Sequence, residues 1–275
     1  MPELPEVETI RRGLIPILDQ RRILEAEIRR PDLRVPFPPD FAARLTGRKI
    51  CRLERRAKYL LLHLDDGMVV IMHLGMSGRL FVETAERAAD RHDHVILRTD
   101  QNRKIVFNDH RRFGLMLRVS GNELAVHPLL KDLGPEPLSD DFNAEILCAA
   151  LEGRKTPIKA ALLDQHVVAG LGNIYVCEAL WRAGISPRRL AMNLGMSGAA
   201  RLAPAVKSVL LDAIEAGGSS LKDYVQASGE MGYFQHRFAV HDRDGANCAR
   251  RGCAGRVRRI VQSNRSSFYC GTCQR

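Results

Sequence analysis

The chain has 275 residues, 45% of them hydrophobic, enough for one large or two medium domains with a substantial core, and it contains no low-complexity tract or internal repeat. Its formal net charge of +10 points to a polyanionic partner, most simply DNA or RNA, with an anionic membrane surface as the weaker option. No apolar run reaches spanning length and the start lacks the pattern of a signal peptide, so the chain is expected to be soluble and intracellular, with no membrane partner.

In chain order, the first element is a helix predicted from Pro2 through Val7, Ile10 and Leu14, since proline suits a first turn and Glu3 the positive end of a helix. The same residues have a chemical reading. Proline is the one residue whose terminal amine is secondary. Once Met1 is removed, an α-amine of ordinary pKa, about 7.7–8.0, is substantially unprotonated near neutral pH, whereas a lysine at about 10.4 is not. A secondary amine that attacks C1′ of a sugar gives a permanently charged iminium, which makes the C2′ proton acidic. Glu3 stands beside it as acid or base.

Alternating or apolar runs follow from about Arg21 to Ser120, at 50–54, 59–64, 68–73, 95–99, 104–108 and 115–119, and predict the strands of a β-sandwich. The stretch Leu133-Gly-Pro-Glu-Pro-Leu-Ser-Asp-Asp141 is a linker ending in helix-capping residues. Helices are predicted at 146–151, 158–165, 174–183 and 199–216. In Gly170-Leu-Gly-Asn173 the asparagine is placed to cap the helix it precedes, near backbone N–H groups that suit a phosphate. The glycines of the segment 217–234 permit a loop to close, and would look the same in an idle surface loop.

At the far end, Cys248, Cys253, Cys270 and Cys273 have the spacing C-x4-C-x16-C-x2-C, two close pairs separated by a hairpin's length of chain. Four thiolates leave no open position, so the expectation is one structural Zn2+ per chain, holding a segment too small to fold alone. A pair of disulfides is the alternative, and nothing upstream indicates secretion. After Asp244 there is no acidic side chain, while Arg250, Arg251, Arg256, Arg258, Arg259, Arg265 and Arg275 follow. Such a ribbon seeks phosphate. Cys51, Cys148 and Cys177 lie in apolar contexts and are expected to be core thiols. The layout is α+β and multidomain: an N-terminal helix plus β-sandwich (1–133), a helical domain (134–237) and a C-terminal zinc ribbon (238–275).

Met1-Pro-Glu-Leu-Pro-Glu-Val-Glu8, Arg55-Arg-Ala-Lys-Tyr59, His73-Leu-Gly-Met-Ser-Gly78, Arg111-Arg-Phe-Gly114, Gly170-Leu-Gly-Asn-Ile-Tyr175 and the cysteine motif together resemble the formamidopyrimidine-DNA glycosylases, in order and over the whole chain. The resemblance implies a bacterial base-excision repair enzyme that removes 8-oxoguanine and formamidopyrimidines and nicks the abasic strand by β and δ elimination. It implies that the helical domain is of the helix-two-turns-helix kind. It also implies a cytoplasmic monomer, associated with the nucleoid through double-stranded DNA containing damaged bases. Pro2 matches the Schiff-base nucleophile and Glu3 the acid that assists ring opening. Lys58 and Arg265 match the proton donors for β and δ elimination, although either cation taken alone is more often a solvated charge. Lys58 lies between Ala57 and an apolar run, where a solvated lysine is less expected.

The same resemblance makes Met76, Arg111 and Phe113 the trio that fills the space left by an everted base, against an ordinary reading of Met76 and Phe113 as core. His73, His92, Arg154 and Asn173 match DNA-contacting positions, and a lone histidine such as His73 in a strand is more often satisfied structurally. Two other readings compete. An endonuclease VIII-like enzyme shares Pro2, Glu3 and the ribbon but prefers oxidised pyrimidines, and Leu4 with the split trio argues against it. A non-enzymatic zinc-ribbon protein explains the charge and cysteines but leaves Pro2, Glu3 and Lys58 without a role. One departure stands: the first cysteine pair is spaced x4 where many relatives have x2, which enlarges the knuckle Ala249-Arg-Arg-Gly252.

Overall fold

Helix α1 (Leu4–Leu18) buries Leu4, Val7, Ile10, Leu14 and Leu18, each at most 1% exposed. Their i, i+3, i+4 spacing is that of a helix with one apolar face, and each such side chain contributes roughly 1.5–3 kcal/mol relative to exposure. The helix does not begin where the sequence reading put it. Glu3 is the N-cap and forms a capping box with Glu6, and the proline of the first turn is Pro5. Pro2 therefore lies outside the helix, so a helix-starting role does not account for it.

The computed structural model describes residues 1–83, 88–220, 226–227 and 230–275. The chain packs as two units, Met1–Lys131 with Ala216–Gln235, and Asp132–Glu215 with His236–Arg275. Beyond α1, the first unit contains β1 (Ile23–Ile28), the short α2 (Phe41–Leu45), β2 (Ile50–Arg56), β3 (Tyr59–Leu64), β4 (Met68–His73), β5 (Arg79–Glu83), β6 (Asp93–Thr99), β7 (Lys104–Asn108) and β8 (Leu115–Ser120). They form two antiparallel four-stranded sheets, ordered β1-β6-β7-β5 and β2-β3-β4-β8. Leu60, Leu62, Val70 and Met72 from one sheet share a core with Val95, Leu97, Ile105 and Phe107 from the other and with the apolar face of α1. This is the expected sandwich, with a helix built into its core.

The second unit contains α3 (Ala144–Leu151), α4 (Ile158–Leu163), α5 (Asn173–Ala183), α6 (Gly195–Glu215) and the hairpin β9 (Val257–Gln262) and β10 (Arg265–Cys270). Asn143 caps α3, its side chain accepting from Ile146 N at 2.9 Å. Helix α5 ends at Gly184, whose φ of 68° is the left-handed conformation that terminates a helix. Both α3 and α5 pack on α6. Among the described residues no helix is long and apolar enough to cross a membrane.

One charged cluster ties α1 to the sheet. Glu8 accepts from Arg11 Nε and Nη2 (3.0 and 2.8 Å), Arg12 Nε (2.9 Å) and Arg55 Nε (3.2 Å). Burial by itself would raise the Glu8 pKa. The hydrogen bonds from Arg11 and Arg12 and the charges of Arg11 and Arg55 outweigh it and hold the carboxyl at about 2. A carboxyl so depressed contributes stability above its ordinary pKa of 4.5 and loses it as pH falls towards 2. Glu8→Gln should therefore cost up to about 3 kcal/mol at neutral pH and flatten the stability profile between those two values. Urea denaturation at a series of pH values checks this, and parallel profiles for the two proteins would contradict it.

Candidate functional site

Pro2 is buried, between an exposed Met1 and the N-cap Glu3. Glu3 and Glu6 are 3% and 2% exposed. Glu6 serves two parts of the chain: its Oε2 accepts from Glu3 N at 2.9 Å and its Oε1 from Ser219 N at 2.8 Å. Gly217 and Gly218 precede that serine with φ of 74° and 82°. Gly232 packs so closely on them that a Cβ there would lie 2.2 Å from Gly218 O. Only glycine fits this base. The segment 217–234, whose glycines permit a loop to close, is thus joined to the carboxylate that helps cap α1, while its residues 221–225 and 228–229 lie outside the described residues. Glu6 was not singled out from the sequence, although Glu3-x-x-Glu6 is a capping-box spacing.

Ala57 and Lys58 form the two-residue loop between β2 and β3, with Arg56 opposite Tyr59. The tip turns inward: Ala57 is 1% and Lys58 7% exposed, which rules out a solvated surface charge for Lys58. His73 ends β4 opposite Tyr59, their ring centroids 5.0 Å apart. Its Nδ1 accepts from Gly75 N at 2.9 Å, which assigns the proton of the neutral ring to Nε2. Burial, then the charges of Lys58 and Arg34, push the His73 pKa down to about 4. At neutral pH His73 is a neutral ring offering one N–H. Burial raises the Tyr59 pKa, against the lowering charge of Arg34. Arg34 lies in a stretch without periodicity, and the sequence reading missed it.

Met76, Arg111 and Phe113 sit on two loops joined through a buried carboxylate. Asp109 is fully buried and accepts from Ser77 Oγ (2.5 Å) and Gly114 N (2.8 Å), while Ser77 Oγ accepts from Arg111 N (3.1 Å). Gly75, at φ 65°, comes so near the second loop that a Cβ would lie 2.3 Å from the Phe113 backbone. Upon this frame Met76 is 38% and Phe113 43% exposed, and the Arg111 guanidinium lies 4.8 Å from the Phe113 ring centroid. Neither apolar side chain is core. His92 is half-buried beside the same frame. Its carbonyl accepts from Asp109 N at 3.0 Å and its Nε2 from Arg91 Nε at 3.0 Å.

In the second unit, Asn173 does not cap α5. Gly172 is the N-cap, and no side chain bonds at the cap. Asn173 Nδ2 donates instead to Ser266 O at 3.0 Å, a carbonyl that also accepts from Lys159 Nζ at 2.9 Å. Asn173 lies in the first turn of α5, the end of a helix that attracts an anion. Lys159 is fully buried, and nothing in its local sequence marks it. Arg265 is exposed at the start of β10, following Ser263 and Asn264, whose φ of 48° and 57° are those of a type I′ turn. Arg154 is committed in part to Asp164, Nη1 to Oδ2 at 3.0 Å.

The four ribbon cysteines converge, with all their Sγ atoms within 4.8 Å of one another. Cys248 and Cys273 are 3.7 Å apart, as are Cys253 and Cys270. Four sulfurs about 2.3 Å from a tetrahedral zinc lie about 3.8 Å from each other, so the set fits a structural zinc and leaves no position for a substrate. None of the seven cysteines is in a disulfide. Only Cys177 among the remaining three is a core thiol. Cys51 and Cys148 are half-buried, a correction to the expectation for both.

Comparison with known proteins agrees with this geometry. The model of the formamidopyrimidine-DNA glycosylase N-terminal domain matches residues 1–116, and that of the formamidopyrimidine-DNA glycosylase H2TH domain matches residues 133–225. A formamidopyrimidine-DNA glycosylase of Cereibacter sphaeroides is 57% identical over 283 aligned positions that span 100% of each chain. The crystal structure of the MutM (Fpg) protein of Thermus thermophilus is similar with a TM-score of 0.88 at 40% identity, covering 99% of this chain and 98% of that one. A complex between a Lactococcus lactis Fpg variant and DNA containing Fapy-dG gives 0.90 at 33% identity, with 100% of both chains covered. The chain belongs to the formamidopyrimidine-DNA glycosylase family.

Proposed function

We propose that this chain is a bifunctional DNA glycosylase and AP lyase of base-excision repair, which removes oxidised purines, chiefly 8-oxoguanine and formamidopyrimidines, and then nicks the strand. The observation that carries the reading is Pro2, buried outside the helix that would explain it, with Glu3 beside it. The Lactococcus relative is described with DNA containing Fapy-dG and with DNA containing an oxidised pyrimidine, so the purine class is supported here by the Met76, Arg111 and Phe113 set rather than by that ligand. With Met1 removed, the Pro2 nitrogen attacks C1′ of the damaged nucleotide. The base leaves with the electron pair of the N-glycosidic bond. Glu3 supplies a proton as the ring opens, and an iminium forms. Loss of the C2′ proton then expels the 3′ phosphate, and a second elimination expels the 5′ phosphate. Lys58 and Arg265 are assigned as proton donors to these two steps.

The other assignments follow chemistry. Met76, Arg111 and Phe113 enter the space left by the everted base, offsetting an unstacking cost of a few kcal/mol. His73, as a neutral donor, and His92, Arg154 and Asn173 contact the DNA backbone, the last from the first turn of α5. The cysteines hold one structural zinc per chain. The division at 1–133, 134–237 and 238–275, a monomeric state and a bacterial cytoplasmic location at the nucleoid belong to the same reading.

Incubation with an 8-oxoguanine duplex and borohydride should give a protein–DNA adduct whose peptide map places the sugar on residue 2. A parallel reaction on thymine glycol should be slower. An adduct on Lys58 with Pro2 unmodified would refute the assignment. Glu3→Gln should lower base excision by about 10²–10⁴-fold while changing DNA affinity little. Equal losses in both would make Glu3 structural.

Arg111 carries the test of purine repair. A guanidinium can donate to O2 and N3 of the cytosine left opposite 8-oxoguanine, and adenine offers no matching pair of acceptors. Arg111→Ala should therefore lose about 1–3 kcal/mol of cytosine-over-adenine discrimination in single-turnover excision. Ser77→Ala, which leaves Asp109 short of a donor, should cost about 1–3 kcal/mol of stability and reproduce part of that loss. An unchanged cytosine-to-adenine ratio in Arg111→Ala would reduce this residue to a backbone clamp.

A further inference from the structure

The enlarged first knuckle of the ribbon folds back on α5. The Arg250 guanidinium stacks on Trp181 at 5.1 Å from the ring centroid, and its Nη2 donates to the carbonyls of Trp181 and Arg182 in the last turn of the helix. Trp181 Nε1 in turn donates to Cys248 Sγ at 3.4 Å, and the backbone N–H of Arg250 donates to the same sulfur at 3.5 Å. Cys248 is 8% exposed beneath them. Trp181 is partly buried against Cys177, Val240, Val257 and Phe268, which holds the indole in place. Arg250 is the second of the four residues between Cys248 and Cys253.

We propose that Trp181 and Arg250 form a clasp on Cys248 that slows metal exchange and fixes the first knuckle to α5; this rests on the reading of the cysteine cluster as a zinc site. The reasoning is electrostatic and steric. Donors aimed at the thiolate hold its sulfur in the direction in which it would ligate a metal. The indole and the guanidinium also cover the approach to it. Such partners behind a ligand are commonly worth 10–100-fold in metal affinity. Trp181 and Arg250 touch neither substrate nor reacting atoms, so they are positioning residues.

The test uses the full-length zinc-loaded protein, with metal content measured first. Mixed with excess chelator and a metallochromic indicator, Trp181→Phe and Arg250→Ala should each release zinc on the order of 10–100 times faster than the parent. Arg250→Lys should not restore the parent rate, because a compact ammonium does not stack as a plane on the indole. In the cobalt-substituted protein, Trp181→Phe should move the thiolate-to-metal charge-transfer band to lower energy, since the ring remains and only the N–H donor is lost. Trp181 is the single tryptophan. Emission from the parent should therefore change at the rate of zinc release, a readout that needs no substitution if a variant fails to fold. Release within about twofold of the parent in both variants, with an unmoved band, overturns the clasp. A parent that binds no zinc overturns the metal reading itself.

Discussion

A chain terminus is ordinarily the least ordered part of a domain, so the role proposed for Pro2 puts a demand on everything that follows it. The first unit meets the demand by burying α1 as part of its core, with Leu4, Val7, Ile10, Leu14 and Leu18 all withdrawn from water. Apolar burial sets the helix in place but does not fix its rotation or its first turn. The carboxylates do that. Glu6 bonds to the backbone at Glu3 and at Ser219, and Glu8 gathers Arg11, Arg12 and Arg55. Buried carboxylates are costly unless they are satisfied, and each of these accepts from several donors. The terminus is held because a whole helix is held.

The second unit solves a related problem with α5. A ribbon of this size has little core of its own, and a metal on its four cysteines would fix them without fixing their orientation on the helices. Helix α5 contacts the ribbon and its approach at three levels. Asn173 Nδ2 bonds to Ser266 O near its start. In the middle, the buried Glu178 accepts from Ala239, Val240 and His241 N at 2.9, 2.9 and 2.8 Å. Trp181 lies against Cys248 near its end. Three consecutive backbone N–H groups converging on one carboxylate define the entry to the ribbon more sharply than apolar contact could, because hydrogen bonds are directional and a buried charge penalises their loss. Arg265, one residue before Ser266, inherits that placement.

How much of this was legible depended on whether the cause was local. Strands at 59–64, 68–73 and 104–108 match β3, β4 and β7 residue for residue, since their apolar runs are bounded by turn residues. Strands β1 and β5 were not singled out, and both are edge strands of their sheet. Within β5 only Leu80 is buried, and β1 interrupts its apolar residues with Glu25 and Glu27. Charge suits an edge and erases the pattern that marks a strand. Asn173 misled for a similar reason. Asparagine is a favoured cap, but its amide is drawn 93 positions away, to a carbonyl that no local pattern predicts. Asp109 and Lys159 escaped notice likewise, because a buried charge is justified only by partners brought from elsewhere in the chain. The cysteines, the proline at position 2 and the exposed setting of Met76 could be read early because their chemistry is peculiar to the residue type or to the turn around it.

Three of the loops that carry the proposed site share a backbone feature. Ala57 precedes Lys58 at φ 52°, Arg112 separates Arg111 from Phe113 at φ 59°, and Ser263 and Asn264 precede Arg265 at φ 48° and 57°. Asparagine tolerates the left-handed region, whereas alanine and arginine adopt it at a cost of about 1–2 kcal/mol. Local bonds hold them there: Arg55 Nη1 donates to Ala57 O at 2.9 Å, and Arg112 N to Asp109 O at 3.3 Å. A left-handed residue reverses the chain within one step, so the neighbouring side chain leaves the loop in a direction a regular strand would not give it. For Lys58 that direction is inward, and for Arg111 and Phe113 it is outward from a buried Asp109. A flexible glycine at position 57 or 112 would adopt the same angle without strain, but it would adopt others nearly as readily. The non-glycine residues give up a little stability and restrict the chain more, which suits a site whose atoms must wait in place for the DNA.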